Sequence, residues 1–311
     1  MNGALSPVVV FAYNRPDHLR QSLTALAGAD LAAQTRVRVY ADGPRDESAR
    51  GAVKAVRRVL DDPAWRDRFA AFEVVTSDAN KGLARAIIGG VTEVVEAAGR
   101  VIVLEDDLIV SRDFLRFMND ALDFYRDDPS VGSISGFCPL KAPPAGYGED
   151  VMRVPRNCSH GWATWADRWR EVDWTAAEAD RLRREPALRR RFDSAGSDRF
   201  HRLQRQLAGK INSWSIRFGL WQVLNGRDTI YPVHNRVRNI GFDDSGVHTR
   251  RGQEVNDAMV SEGAPYRLTN PPETPAVLQA FSRIYSGPPL RSLMRKVREL
   301  VMPRSNGRLV Q

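Results

Sequence analysis

Only two cysteines, Cys138 and Cys158, occur in 311 residues, and they form no C-x-x-C pair. A disulfide framework is excluded, and a reduced, cytoplasmic setting is expected. Long apolar runs are missing as well. The longest, such as Pro7–Tyr13 and Val101–Leu104, fall far short of the roughly 20 residues that cross a bilayer. The N-terminus has no basic leader and meets Asn14-Arg15-Pro16 almost at once, so no signal peptide is expected. Several chemistry-bearing motifs are also absent. There is no G-x-x-x-x-G-K-[ST] loop, no G-x-G-x-x-G after the first strand and no H-E-x-x-H helix. Nor is there a G-x-S-x-G elbow. A P-loop kinase, a dinucleotide dehydrogenase, a zincin and an α/β-hydrolase all lose support.

Hydrophobic residues make up 42% and charged residues 27% of the chain, ordinary values for a folded protein. The net charge is +8, almost all of the positive charge being arginine. Two readings stand. The excess marks a partner rich in phosphate or carboxylate, or it reflects a genome that favours arginine over lysine.

The first part alternates strands and helices. Val8–Tyr13 reads as a strand and Pro16–Ala27 as a helix with Leu19, Leu23 and Leu26 on one face. Strands follow at Arg36–Ala41 and Phe72–Thr76, with a charged helix at Asp46–Leu60 between them. Asn80 is placed to cap a helix carrying Leu83, Ile87, Val91, Val94 and Val95, and Gly99 to end it. Val101–Leu104 lacks polar alternation, as a strand covered on both faces should. Ser111 is expected to cap the next helix, and Val131–Ser135 to be another strand. This succession predicts an α/β fold with a mostly parallel sheet and helices on both faces. From about Met152 the pattern becomes irregular, with the aromatic stretch "GWATWADRWREVDW" and an Arg-rich helical run to about Gly209. The predicted organisation is an α/β half at 1–136, a second lobe at 137–285 and a basic amphipathic tail at 286–311.

Ligands of open α/β sheets gather at the carboxyl ends of the strands. There the chain places Tyr13, Asn14 and Arg15, then Asp42, then Asp78–Lys81, then Glu105-Asp106-Asp107. Three successive carboxylates repel one another and resist burial. One reading is an oxygen-ligand site for a hard divalent cation shared with a diphosphate; the other is a solvated turn.

The stretches "VVVFAYNRP", "VYADG", "VIVLEDDLIVSRDFLRFMNDALDFY" and "SISGF" resemble the nucleotide-sugar-binding half of GT-A glycosyltransferases. The likeness is to N-acetylglucosaminyltransferase I and its bacterial relatives. It continues through "SHGWATWADRW", "INSWSIRFGLWQVLNGRDTIYP" and "NRVRNIGFDDSGVHT", covering about residues 7 to 250. The resemblance implies a metal-dependent, inverting transfer from a nucleotide sugar, a UDP-sugar, to a glycan or lipid-linked glycan, with Mn²⁺ or Mg²⁺ as cofactor. It implies that Asp107 binds the metal, that Glu105 and Asp106 hold the ribose and the coordination shell, and that Arg15 and Asp42 contact the nucleotide, Asp42 reading the base, with Tyr13 beside them. His160, Gly161, Trp162, Asn212 and Trp214 would border the sugars, and Gly246, Val247 and His248 would close over the donor. Lys81, Gly82 and Arg85 sit where a helix N-terminus can meet the diphosphate.

The catalytic base is where this sequence departs from the pattern. Asn212-Ser213-Trp214 stands where the family has an acidic D-D-W segment, so Asp243 and Asp244 are the candidates, alongside Ser213. Blander readings remain beside these. The tryptophans other than Trp162 suit packing, Asp243-Asp244 suits a turn, and His248 suits a loop cap. The tail "RSLMRKVRELV" suits an anionic membrane surface, a helix docked on its own domain, or a frayed end. A non-catalytic polyanion-binding module and another metal-dependent phosphoester enzyme are the competing functions. The acidic triplet argues against nucleic acid as the partner, because carboxylates repel phosphate.

Overall fold

The computed structural model describes residues 4–241 and 262–286. Its centre is an eight-stranded mixed sheet. The strands are β1 (Val8–Ala12), β2 (Arg36–Ala41), β3 (Ala71–Thr76), β4 (Arg100–Glu105), β6 (Val131–Ser135), β7 (Val151–Val154), β8 (Trp162–Trp165) and β9 (Asp228–Pro232). Their order is β3-β2-β1-β4-β8-β6-β9-β7. Pairing is parallel across β3-β2-β1-β4 and again at β6-β9, and antiparallel at the other junctions. A separate ribbon pairs β5 (Leu108–Val110) with β10 (Val237–Asn239).

The strand period of two divides the core cleanly. Val8, Val10 and Ala12 point to one face with Ile102 and Leu104, while Val9 and Phe11 point to the other with Val101 and Val103. The first face is covered by α1 (Pro16–Ala27), α2 (Arg50–Leu60) and α4 (Phe114–Phe124). The second is covered by α3 (Leu83–Ala98), α5 (Ala166–Arg170) and α9 (Trp214–Leu224). Gly90 lets α3 lie close, because a Cβ there would meet the Phe11 and Tyr40 rings at 2.9 Å.

Helix α9 carries apolar side chains on two faces and is buried between two layers. Trp214, Phe218 and Trp221 face the sheet, whereas Ile216, Leu220 and Val223 face an outer layer. That layer is α6 (Arg181–Arg184), α7 (Pro186–Asp193) and α8 (Asp198–Leu207). Helix α10 (Pro275–Tyr285) packs Val277 and Phe281 against Met152, Val154 and Tyr231.

Two caps differ from the sequence expectation. Gly82 at φ 74° precedes α3, and Asn80 instead donates its amide to the Gly43 carbonyl at 2.9 Å. Ser111 gives its hydroxyl to Asp113, which occupies the cap position of α4. The sheet also draws on both expected halves, since β7, β8 and β9 come from 137–285 and β8 lies between β4 and β6. No helix among the described residues is long and apolar enough to cross a membrane.

Candidate functional site

The parallel strands β1 to β4 all end at one edge, and the irregular segments there are tied together through polar side chains. Strand β4 runs straight into Glu105-Asp106-Asp107. Asp106 is buried; its carboxylate accepts the Tyr13 amide at 3.1 Å and its carbonyl accepts the Ser22 hydroxyl at 2.8 Å. Asp107 accepts a 2.9 Å bond from the Arg15 guanidinium, in a pair whose side chains are each about one-seventh exposed. Arg15 follows β1 and so reaches Asp107 across one strand spacing, because β1 and β4 are neighbours.

This single guanidinium does not balance three carboxylates. Burial pushes Glu105 well above the ordinary carboxylate range, with repulsion from Asp107 and then Asp106 adding to it, against Arg15. Asp106 is pushed up to about 7, by burial first and Asp107 second, with the Tyr13 N–H and Arg15 opposing. The edge is short of positive charge.

The β5–β10 ribbon brings a later segment onto the same residues. Ile240 donates its N–H to the Asp107 carbonyl at 2.9 Å. Gly241 lies against the ion pair so closely that a Cβ would stand 2.2 Å from Asp107 Oδ2 and 2.7 Å from Arg15 Nη1. Gly241→Ala is therefore expected to push the pair apart at about 1–3 kcal/mol. Comparing chemical denaturation of this variant with that of Gly148→Ala, which has open space around it and no positive φ, checks the assignment. Equal melting of the two would refute a close fit at Gly241.

Asp42 has a defined structural occupation. Its carboxylate accepts the N–H groups of Gly43 at 2.9 Å, Lys81 at 2.8 Å and Gly82 at 3.0 Å, latching the loop before α3 onto the end of β2. Little acceptor capacity remains for a nucleotide base. Gly43 fits under the same loop, since a Cβ would come within 2.7 Å of the Asp78 and Ala79 backbone. Asp42→Asn should cost about 1–2 kcal/mol by leaving an amide N–H without an acceptor. Faster hydrogen exchange confined to residues 78–82 would be its signature, and unchanged exchange there would count against the latch. Lys81 and Arg85 are exposed beside this turn.

The residues before β8 complete the edge. Gly161, at φ 62°, accepts the Gly136 N–H at its carbonyl at 2.6 Å. Its missing Cβ is needed, because Val237 Cγ2 would lie 2.7 Å away. His160 stands edge-on to Phe137 at 5.0 Å, and its Nδ1 is buried without a hydrogen-bond partner. Burial holds its pKa below the ordinary histidine value, with Asp107 pulling the other way, which keeps the imidazole neutral at pH 7.

Other expected site residues have different positions. Trp162 is 1% exposed and stacks on Trp214 at 4.7 Å and Trp169 at 5.7 Å, so both Trp162 and Trp214 are core side chains rather than an open sugar platform. Ser213 caps α9 by accepting the Ile216 N–H at 3.4 Å, and Asn212 is exposed and accepts from Arg217 at 2.9 Å. Both side chains are thus engaged at the start of α9. Asp243, Asp244, Gly246, Val247, His248 and the tail beyond 286 lie outside the described residues. The β5–β10 ribbon and the close approach of Gly241 were not foreseen; the short apolar run "LIV" after the triplet is the sequence signal for the ribbon.

Among the described residues no group of three or more His, Cys, Asp and Glu side chains is arranged to hold a metal ion. The donor chemistry nonetheless fits a hard cation held by one or two carboxylates plus ligand oxygens, because burial and mutual repulsion hold protons on Glu105 and Asp106 that a cation beside them would displace, a charge Arg15 alone does not supply.

No family model matches the chain, and no curated protein matches it. Solved structures similar to it include TarS 1–349 of S. aureus in complex with UDP, with 13% identity and a TM-score of 0.42 over 75% of this chain and 59% of that one. Mouse xyloside xylosyltransferase 1 is 13% identical with a TM-score of 0.36, over 70% of this chain and 81% of that one. A UDP-glucose pyrophosphorylase complexed with UDP-glucose is 14% identical with a TM-score of 0.36, over 73% of this chain and 90% of that one. The chain thus spans about three-fifths of the TarS fragment.

Proposed function

We propose that this chain is a glycosyltransferase of the GT-A type, moving a sugar from a UDP-sugar to a hydroxyl of a glycan or lipid-linked glycan with inversion. The observation that carries the reading is the run Glu105-Asp106-Asp107 at the carboxyl edge of the parallel strands, undercompensated by its one bonded guanidinium. Such an edge ionises fully only beside a further cation. It accepts a diphosphate that arrives with a divalent cation, since the pair together offsets the carboxylates.

Mn²⁺ or Mg²⁺ would be held by Asp107, with Glu105 and Asp106 behind it, and would supply neutralisation of charge on the departing diphosphate. The chain's own residues do the remaining work. Arg15, already turned toward the triplet, has further N–H donors to offer phosphate oxygens. Asp42 fixes the 78–82 loop so that the first backbone N–H groups of α3, with Lys81 and Arg85, present positive potential at the same edge. His160 stays neutral beside Asp107, held edge-on to Phe137. Gly241 leaves the space that the Arg15–Asp107 pair occupies.

Calorimetric titration with a panel of nucleoside diphosphates, with and without Mn²⁺, tests the reading. Binding of UDP that needs the metal and is lost in Asp107→Ala is expected. Failure of every nucleotide to bind under either condition would end it.

A further inference from the structure

The charge of this chain is not spread evenly. Residues 181–217 hold ten arginines and Lys210 against Glu185, Asp193 and Asp198, a net charge of +8 that equals that of all 311 residues. The rest of the chain balances, 35 basic residues against 35 acidic. This block is the outer layer α6–α8 with the turn into α9.

Packing decides which of these cations meet solvent. Leu182, Phe192, Phe200 and Leu203 turn inward onto α9. Arg181, Arg183, Arg189 and Arg191 have carboxylate partners at 2.5 to 3.2 Å. Arg199 is buried among backbone carbonyls. Arg184, Arg190, Arg205 and Lys210 are exposed, and none has a carboxylate within ion-pair distance among the described residues. Between the last two lies Leu207, 48% exposed at the end of α8. This tip is built rather than frayed. Lys210 N–H bonds the Arg205 carbonyl at 2.9 Å, Gly209 takes φ 67°, and Ser213 N–H bonds the Gln206 side chain at 2.6 Å.

The tip also has a defined place relative to the acidic edge. Helix α9 begins with Trp214 against Trp162, whose strand partner Val103 lies two residues before Glu105. Near its end Gln222 bonds Ser133, midway along β6, and Thr229, near the start of β9 and away from the triplet's edge. The turn that precedes α9 is therefore at the triplet's edge of the sheet.

We propose that the 181–210 helical layer is a docking surface for an anionic phospholipid bilayer, with Arg184, Arg190, Arg205 and Lys210 on the head groups and Leu207 in the interface. Cations flanking an aliphatic side chain suit a bilayer, which offers phosphate and an apolar boundary together. A single-stranded nucleic acid would call for stacking rings, and Leu207 is the one exposed large hydrophobic side chain of the layer. The layer carries this charge whatever reaction the acidic edge performs. On the sugar-transfer reading, docking sets that edge beside acceptors held in the membrane.

Sedimentation of the full chain with phosphatidylcholine vesicles, with and without phosphatidylglycerol, tests this. Binding is expected only with the anionic lipid and should fall as salt rises. Arg184→Glu/Arg190→Glu/Arg205→Glu/Lys210→Glu should weaken it by on the order of a hundredfold or more, at about fivefold per cation near the surface. Leu207→Ala should weaken it a few-fold. Arg295→Glu/Lys296→Glu/Arg298→Glu in the tail separates the two basic regions, and should leave most of the binding. Wild-type binding by the fourfold variant, loss in the tail variant alone, or binding to duplex DNA without binding to vesicles would each overturn the proposal. Should the fourfold variant fail to fold by circular dichroism, Arg205→Gln/Lys210→Gln replaces it and must still reduce binding.

Discussion

Asp107→Asn is expected to lower sugar transfer on the order of a thousandfold while the protein stays folded. The substitution keeps size and hydrogen-bonding capacity, so Arg15 retains a partner oxygen and Gly241 its neighbour. What disappears is the charge nearest the Arg15 guanidinium, the one that a cation on the donor would meet. Stability should move the other way. Asp107 is the leading electrostatic cause raising Glu105 and the second cause, after burial, raising Asp106. Removing it relieves repulsion inside a buried cluster, so the melting temperature in the absence of nucleotide should hold or rise. Activity against melting temperature is therefore the informative pair. A drop in both would mean that Asp107 is structural, and full activity would mean that the reacting centre is elsewhere.

The periodic half of the molecule could be read from its residues because each element there carries its own signal. Helix α1 has the predicted bounds Pro16–Ala27, with Leu19, Leu23 and Leu26 buried, and β2 the predicted bounds Arg36–Ala41. Gly99 ends α3 in the left-handed conformation that the pattern required. The second half was opaque for a physical reason. Strand β8 is four residues long, two of them tryptophan, and its place between β4 and β6 depends on pairing with Val103 and Ser135 far away in sequence. No local period encodes such a long-range pairing. The site divides in the same way. The triplet was visible because three adjacent carboxylates contradict a buried strand end, and Arg15 because it follows the neighbouring strand. Asp42 was visible as a polar residue at a strand end, but its work as a latch depends on the backbone N–H groups of Lys81 and Gly82, about forty residues on. Trp162 and Trp214 are told from sugar-stacking residues only by burial, which neither sequence position reveals.

That distinction gives the second large effect. Trp162 lies in a stack with Trp169, Trp214 and Phe218, on the face of the sheet that carries α3 and α9. Truncation to alanine would open a cavity among three aromatic side chains that cannot all collapse into it, so Trp162→Ala should cost about 3–5 kcal/mol. Trp162→Phe refills most of the volume. It also deletes an indole N–H that is buried with no acceptor, so part of its packing loss is offset and the net cost should be well under that of alanine. A sugar platform would behave differently: alanine would leave the denaturation midpoint nearly unchanged and raise KM for the acceptor. Urea denaturation of the two variants beside acceptor kinetics separates the cases. A wild-type midpoint for Trp162→Ala would return this ring to the site and leave α9 anchored by Trp221 and Phe218 alone. Because Trp214, at the start of α9, leans on Trp162, the same truncation should also loosen the 207–213 turn. Hydrogen exchange at Lys210 and Ser213 should then rise together with the loss of stability, linking the aromatic core to the basic tip at the edge of the sheet.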